Sequence, residues 1–315
     1  MKLKRLFTIL VMLALTQCLR ASDSNSSVQT NDASRFNSPQ DAISAMLTAA
    51  QNQDTNRMED IFGSEGHQLV SPDSVQAAQS YDIFVRRLTE KVVIVTNSDD
   101  DLTLLLGDDG WSFPIPLVEQ GGQWFFDTAA GKQEILNRRI GMNELGAIAV
   151  CRTYVDAQRE YASQDRDGDG VLNYAQFLHS DPNTHDGLFW PAQPGEELSP
   201  FGPLIAAAHA EGYEHTARMM NEHLAPYHGY YFKILTRQGK HAPGGKYNYI
   251  INGHMIAGFA LVAWPAEWGN TGVMTFTVNQ QGKVYQCNLG QKTAKLASGM
   301  TTFDPDDKWT LVSGN

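Results

Sequence analysis

Between residues 36 and 129, the spacing of apolar positions changes from a helical period to short runs. Ser38 and Pro39 are typical of a helix start, and the apolar residues after them recur three or four positions apart. These residues are Ile43, Met46, Leu47 and Ala50. From Val92 onward, short apolar runs alternate with turn signals, which predicts an antiparallel meander. We therefore predict an α+β domain of helices followed by a curled antiparallel sheet, compatible with the cystatin or nuclear-transport-factor shape.

The residues from 130 to 315 repeat the order of helix first and sheet afterwards. One face of a long helix between Ala129 and Gln164 carries Leu145, Ile148, Cys151, Val155 and Ala162. A further helix is predicted from His209 to His223. The strand candidates are Tyr230–Thr236, Tyr247–Ile251, Phe259–Trp264 and Val273–Val278. The pattern predicts a second α+β domain, a long helix on an antiparallel β-meander, with the domain boundary near residue 130.

The first 35 residues have the pattern of a leader and a linker. A basic start, Met1 to Arg5, precedes an apolar run from Leu6 to Leu15, which is typical of a signal peptide and too short for a membrane anchor. We predict that residues 1–21 are a signal peptide and that residues 22–35 are a disordered linker. Cys18 lies in a sequence similar to a lipoprotein cleavage box, so it is either lipidated or discarded with the leader. The predicted location is periplasmic or secreted.

Composition narrows the classes of partner. The formal net charge is −11, and hydrophobic residues make up 42% of the chain. An acidic balance argues against nucleic acid and anionic lipid as partners, and the apolar content is sufficient for a packed core. After the leader, no apolar run approaches the roughly twenty residues that a membrane-spanning helix needs. We therefore predict a chain with no transmembrane segment after residue 21.

Several strings resemble one bacterial family. They are Trp111–Val118, Arg138–Leu145, Asp186–Pro191, Gly258–Gly269 and Thr271–Phe276. Together they resemble an exported family known as domain of unknown function 2950, over roughly residues 36 to 290. The resemblance implies export and brings no activity, because the family has none assigned.

A second resemblance concerns the fold of the later half. The order of a long helix, then Gly229–Phe232, Phe259–Pro265 and Gly272–Phe276, is similar to the globular heads of type IV pilin-like proteins. The chain lacks the apolar N-terminal helix of those proteins, so the resemblance implies a fold for the second domain and not polymerisation.

One segment has the spacing of a calcium loop. An EF-type loop supplies carboxylates at positions 1, 3 and 5, glycine at position 6, a backbone carbonyl at position 7 and a bidentate glutamate at position 12. The candidate ligands here are Asp165, Asp167, Asp169, Val171, Asn173 and Gln176, with Gly170 at position 6. Gln176 replaces the glutamate, so weak calcium affinity is expected. The alternative is an Asp/Gly-rich turn between helices.

Two other groups of residues could carry chemistry. Cys151 and Cys287 could form a disulfide in an oxidising compartment, or they could be two buried thiols. The segment 209–228 is rich in acidic residues and histidine, but it lacks the His-Glu-x-x-His spacing of zinc proteases. The sequence contains no nucleophile motif of the Gly-x-Ser-x-Gly kind.

These observations favour a non-catalytic function. We predict an exported envelope protein that acts as a binding or assembly module, with calcium as its candidate cofactor and an unknown envelope protein or small ligand as its partner. Two alternatives remain open. One is a periplasmic hydrolase that uses the acidic and histidine residues near 209–228, and the other is a small-ligand pocket in the cone of the first domain. Shifted carboxylates or histidines around a pocket would favour the enzyme, and an apolar cone would favour the ligand pocket.

Overall fold

Side-chain caps define the first helices. In a computed structural model, which describes residues 32–192, 195–213 and 226–313, Ser38 accepts a hydrogen bond from the backbone N–H of Asp41 and caps α1. The helices are α1 (Pro39–Gln51), α2 (Thr55–Phe62) and α3 (Ser74–Glu90), with a 3-10 segment at Ser64–Leu69. Asp54 and Asp73 cap α2 and α3 in the same way. The helix start predicted at Ser38 is confirmed.

The first sheet follows these helices and is antiparallel. Its strands are β1 (Val92–Ser98), β2 (Asp101–Leu106), β3 (Trp111–Ser112), β4 (Leu117–Gln120) and β5 (Gln123–Phe126). They lie in the order β1-β2-β4-β5, and β3 pairs with β2. Alternate residues of β2 are buried, and Leu102, Leu104 and Leu106 form a hydrophobic cluster with Met46 and Phe126. The predicted meander is present between residues 92 and 126.

Helix α4 (Thr128–Tyr161) connects the two hydrophobic clusters of the described residues. It has 34 residues, which corresponds to about 50 Å at the rise of an α-helix. Ile135 packs against the first cluster, and the residues from Ala147 onward belong to the second. The domain boundary predicted near residue 130 lies in the first turn of this helix. The described residues nevertheless belong to one compact unit that begins at Asp32.

The later half contains a second five-stranded sheet. Its strands are β8 (Tyr230–Leu235), β13 (Ala260–Pro265), β14 (Thr275–Asn279), β15 (Tyr285–Cys287) and β17 (Thr310–Leu311). They pair antiparallel in the order β17-β15-β14-β13-β8. Helix α4 packs on β13 and β14, and α6 (Thr293–Ser298) packs on β13. The predicted mixed α+β class is confirmed.

Shorter elements complete the later half. They are β6 (Phe177–His179), β7 (Gly187–Phe189), α5 (Gly202–Ala210), β9 (Arg237–Gln238), β10 (Tyr247–Asn248), β11 (Ile250–Ile251), β12 (His254–Met255), β16 (Thr302–Phe303) and a 3-10 turn at Gly290–Lys292. The pairs β6–β7 and β9–β16 are parallel. The hairpin β11–β12 is antiparallel, and its Met255 accepts a hydrogen bond from Tyr174, which follows α4 in the chain.

Several predicted elements differ from the structure. The predicted strand Tyr247–Ile251 is divided between β10 and β11. The half-buried alternation predicted for Val273–Val278 is wrong for β14, since all five of its residues are buried. Helix α5 ends at Ala210, and most of the helix predicted from His209 to His223 lies outside the described part. The end of the predicted disordered linker is ordered, because Ala33 is buried and Asp32 accepts a hydrogen bond from Ser64.

Polar contacts join the early and late elements. Asn143 of α4 is buried, donates to the carbonyl of Thr271 at 2.9 Å and accepts from Gln76 at 2.7 Å. Arg139 donates to Asn270 and to the carbonyl of Leu69. Within the described residues, no helix has both the length and the apolar character needed to cross a membrane. The signal peptide predicted for residues 1–21 and Cys18 lie outside that part of the chain.

Candidate metal centre

The Asp-rich segment is a loop between α4 and Tyr174. Helix α4 ends at Tyr161, and the backbone N–H of Tyr174 donates to the carbonyl of Met255 at 2.8 Å. In the loop, Gly168 and Gly170 have φ values of +74° and +86°. Because this left-handed region favours glycine, both positions suit the sharp turn that brings neighbouring side chains to one side.

This turn gathers three carboxylates. Oxygen atoms of Asp165, Asp167 and Asp169 all lie within 4.8 Å of one another, and all three residues are exposed. Asp165 accepts hydrogen bonds from the backbone N–H groups of Gly170 and Gly168, each at 2.9 Å. The bond from Gly170 is the main reason that the pKa of Asp165 is lowered. The carboxylate is therefore held in the ionised form that a cation needs.

Arg166, at the second position of the loop, fixes the loop to the protein. Its side chain is 3% exposed and forms an ion pair with Glu197. Its Nε donates to the carbonyl of Tyr161 at 3.1 Å, and its guanidinium lies 5.7 Å from the ring centre of Trp190. Because a buried side chain between the carboxylates is held at several points, the loop is preorganised on one side.

The remaining predicted ligands have other contacts. The backbone N–H of Val171 donates to Asp169 at 2.8 Å, and the amide of buried Asn173 donates to Asp167 at 3.0 Å. The amide of Gln176 donates to the carbonyl of Gly253 at 2.7 Å. Asp165, Asp167 and Asp169 are thus brought together, whereas the Gln176 amide is tied to the β11–β12 hairpin. An EF-type loop is followed by a helix, but here Tyr174 bridges to Met255 and β6 begins at Phe177.

One residue of this site, His254, could not be predicted from the sequence. Nδ1 of His254 lies 2.9 Å from Oδ2 of Asp169, and its side chain is partly exposed. His254 belongs to the β11–β12 hairpin, and no local spacing links it to an aspartate so distant in sequence. The loop is therefore connected to this hairpin by His254, by Gln176 and by the backbone of Tyr174.

His228, in the described part of the histidine-rich segment, is held by two hydrogen-bond partners. Nε2 of His228 lies 2.8 Å from Glu211, and Nδ1 lies 3.2 Å from the side-chain amide of Gln76. Because both ring nitrogens have partners, His228 has neither nitrogen free to activate a nucleophile. His209 is exposed at the end of α5. His215, His223, Glu214 and Glu222 lie outside the described residues.

The two cysteines of the described chain are separate thiols. Cys151 and Cys287 are both free and buried, as the second of the two predicted alternatives has it. Burial raises the pKa of Cys151 to about 12 and also raises that of Cys287. Since the thiolate is the reactive form, neither cysteine has the environment of a catalytic nucleophile.

Two cavities lie near polar residues. A cavity of about 160 Å³ lies beside Asp73, Tyr231 and Glu267. A wider cavity of about 420 Å³ lies between the outer face of the first sheet and α4, and its lining includes Asn97, Asp101, Thr103, Glu134 and Arg138. On the opposite face of this sheet the buried leucines of β2 are packed against the helices. The wider cavity is thus polar and lies outside the proposed apolar cone.

The match to known families decides how the chain is classified. Residues 33–312 match the family described as "Protein of unknown function (DUF2950)". The chain belongs to this family. No curated protein and no solved structure matches the DUF2950 chain. The pilin-like fold of its later half therefore stays a prediction, and the DUF2950 family name carries no activity.

Proposed function

We propose that this chain is an exported bacterial envelope protein that acts as a non-catalytic binding or assembly module and is stabilised by one calcium ion. The observation that carries the proposal is the cluster of Asp165, Asp167 and Asp169 in a glycine-dependent turn. Calcium prefers six to eight oxygen ligands, and three carboxylates supply several of them. The carbonyl of Val171 and water would complete the set.

The position of the loop explains how a bound ion would stabilise the fold. The loop connects the end of α4 with β6, and it also contacts the β11–β12 hairpin through His254, Gln176 and Tyr174. An ion that fixes the three aspartates would reduce their mutual repulsion and hold these elements together. Because Gln176 replaces a bidentate glutamate, we expect a weak affinity, of roughly 10⁻⁴–10⁻³ M as in extracellular calcium modules.

The non-catalytic part of the proposal rests on the candidate catalytic groups. Both ring nitrogens of His228 are engaged, and Cys151 is a buried thiol with a raised pKa. The wider cavity is lined by Asp101, Glu134 and Arg138, and Arg138 is already paired with Glu134 at 2.7 Å. These arrangements favour binding or assembly over hydrolysis.

Calorimetric titration with calcium chloride tests the metal site. We expect one binding event in the wild-type protein and its loss in Asp167→Asn, because the substitution removes one charge from the cluster. Asp156→Asn is the matched control, since Asp156 is an exposed aspartate of α4 whose partner is Arg159. Equal binding by wild type and Asp167→Asn would show that the loop is not the calcium site.

Intact-mass analysis of the protein from the envelope fraction tests export. The basic start and the apolar run Leu6–Leu15 support removal of a leader. We expect a mature chain that begins after Ala21, or a lipidated chain that begins at Cys18. Recovery of the chain from the cytosol with residues 1–20 still attached would contradict this part of the proposal.

A further inference from the structure

Strand β1 has one unpaired edge. It lies at the end of the strand order in the first sheet, and its register with β2 runs from Val92 opposite Leu106 to Thr96 opposite Leu102. Within the described residues, no backbone hydrogen bond joins residues 92–98 to any element other than β2. An edge of this kind is a template for pairing with another strand.

The register shows which backbone groups point outward. The N–H of Gly107 donates to the carbonyl of Lys91 at 2.9 Å. Because every second pair of an antiparallel ladder is hydrogen-bonded, the backbone groups of Val93 and Val95 also point toward β2. The N–H and C=O groups of Val92, Ile94 and Thr96 therefore point away from the sheet. A bulge between Thr96 and Ser98 ends the regular edge.

The edge also has exposed apolar side chains and no protective ones. Val93 and Val95 are 39% and 38% exposed on the outer face of the sheet. The strand is rich in β-branched residues and contains no proline or charged residue between 92 and 98. Natural edge strands usually carry such residues to prevent pairing. The composition of β1 is thus typical of a strand whose outer edge pairs with another strand.

We propose that β1 pairs antiparallel with β1 of a second copy of this chain, about a two-fold axis at Ile94. This inference rests on the proposed assembly function and names its partner. In this register, Ile94 lies opposite its own equivalent and Val92 lies opposite Thr96 of the second copy. All the outward backbone groups of these residues then find partners. Val93 faces Val95 of the second copy in a non-hydrogen-bonded pair, with Cα atoms about 4.5 Å apart.

The charges at the two ends of β1 favour a second copy in this orientation. Glu90 and Lys91 precede the strand and their charges cancel, whereas Asp99, Asp100 and Asp101 follow it. Antiparallel self-pairing keeps the acidic ends of the two copies apart, whereas parallel pairing would place these like charges side by side. A two-fold axis relates the two strands in this arrangement, as in most soluble dimers.

Cysteine cross-linking tests the register. Cys18 is replaced by serine in every protein used, and Cys151 and Cys287 are buried. Under mild oxidation, we expect disulfide-linked dimers in a mixture of Val93→Cys and Val95→Cys, because the facing Cα atoms lie within disulfide range. We expect none with either variant alone. Absence of dimers in the mixture, or equal cross-linking of a single variant, would overturn the register.

Sedimentation velocity tests the interface without engineered thiols. We expect a concentration-dependent dimer in the wild-type protein and its loss in Val95→Lys, since the lysine would face the second copy. Leu296→Lys is the control, because Leu296 is 50% exposed on α6, in the later half of the chain and outside both β1 and the Asp-rich loop. A wild-type protein that is monomeric at every concentration, or a Val95→Lys variant that still dimerises, would overturn the inference. Calcium titration of Val95→Lys separates the two proposals, because loss of the dimer leaves the loop intact.

Discussion

Replacement of Gln158 by alanine is expected to lower the free energy of unfolding by about 2–5 kcal/mol, from the cost of leaving buried backbone groups unpaired. Gln158 is fully buried in α4. Its amide donates to the carbonyl of Ala175 at 2.8 Å and accepts from the N–H of the same residue at 2.9 Å. It also donates to the hydroxyl of Tyr154. Truncation would leave both backbone groups of buried Ala175 without these partners.

Urea unfolding of two further variants separates hydrogen bonding from packing. Gln158→Leu keeps most of the side-chain volume, so we expect it to be nearly as destabilising as Gln158→Ala. Gln133→Ala, at an exposed position of α4 that bonds only to Asn137 among the described contacts, should change stability by less than about 0.5 kcal/mol. Full stability in Gln158→Leu would contradict the assigned cost of the unpaired Ala175 groups.

The features that could be predicted from the sequence are governed by neighbours in the chain. Ser38 caps α1 because the cap needs only a side-chain oxygen that accepts from a backbone N–H three residues later, here that of Asp41. The long helix predicted from Ala129 to Gln164 extends from Thr128 to Tyr161, since its apolar face is periodic. The aspartates at positions 165, 167 and 169 come together through a local turn, so their spacing alone predicted their proximity.

The features that could not be predicted depend on contacts between distant segments. The loop is followed by a strand and not by the helix of an EF-type motif, because the backbone of Tyr174 pairs with Met255 and Gln176 bonds to Gly253. His254 reaches Asp169 for the same reason. In β14 all five residues are buried, and both α4 and β16 contact the strand, so the alternating pattern gives no exposed face. Tertiary packing overrides local propensity at each of these places.

The candidate site was predicted only in part, because some of its contacts also come from distant segments of the chain. The carboxylates were found by their spacing, but the anchoring of Arg166 by Glu197 and Trp190 depends on a segment that returns to the loop later in the chain. The partners of His228 come from α3 and from the end of α5, which the sequence does not connect. A histidine-rich segment therefore could not be assigned a chemical role before the fold was known.

Calcium is expected to raise the Tm of the wild-type protein by roughly 5–10 °C. An ion that binds only the folded state contributes about 2.7 kcal/mol at a hundredfold excess over its Kd, and each kcal/mol is worth about 2–4 °C in a chain of this size. Asp167→Asn should melt at the same temperature with and without calcium. Asp156→Asn should respond as the wild type does, because its carboxylate lies outside the cluster.

Thermal unfolding of these three proteins, with and without calcium in excess of the measured Kd, tests most directly whether the Asp-rich loop stabilises the fold by binding the ion. We predict a rise in Tm that grows with calcium concentration in the wild type and in Asp156→Asn and is absent in Asp167→Asn. An unchanged Tm in the wild type, or an equal rise in all three proteins, would contradict the claim that calcium holds the loop of Asp165, Asp167 and Asp169 against the rest of the chain.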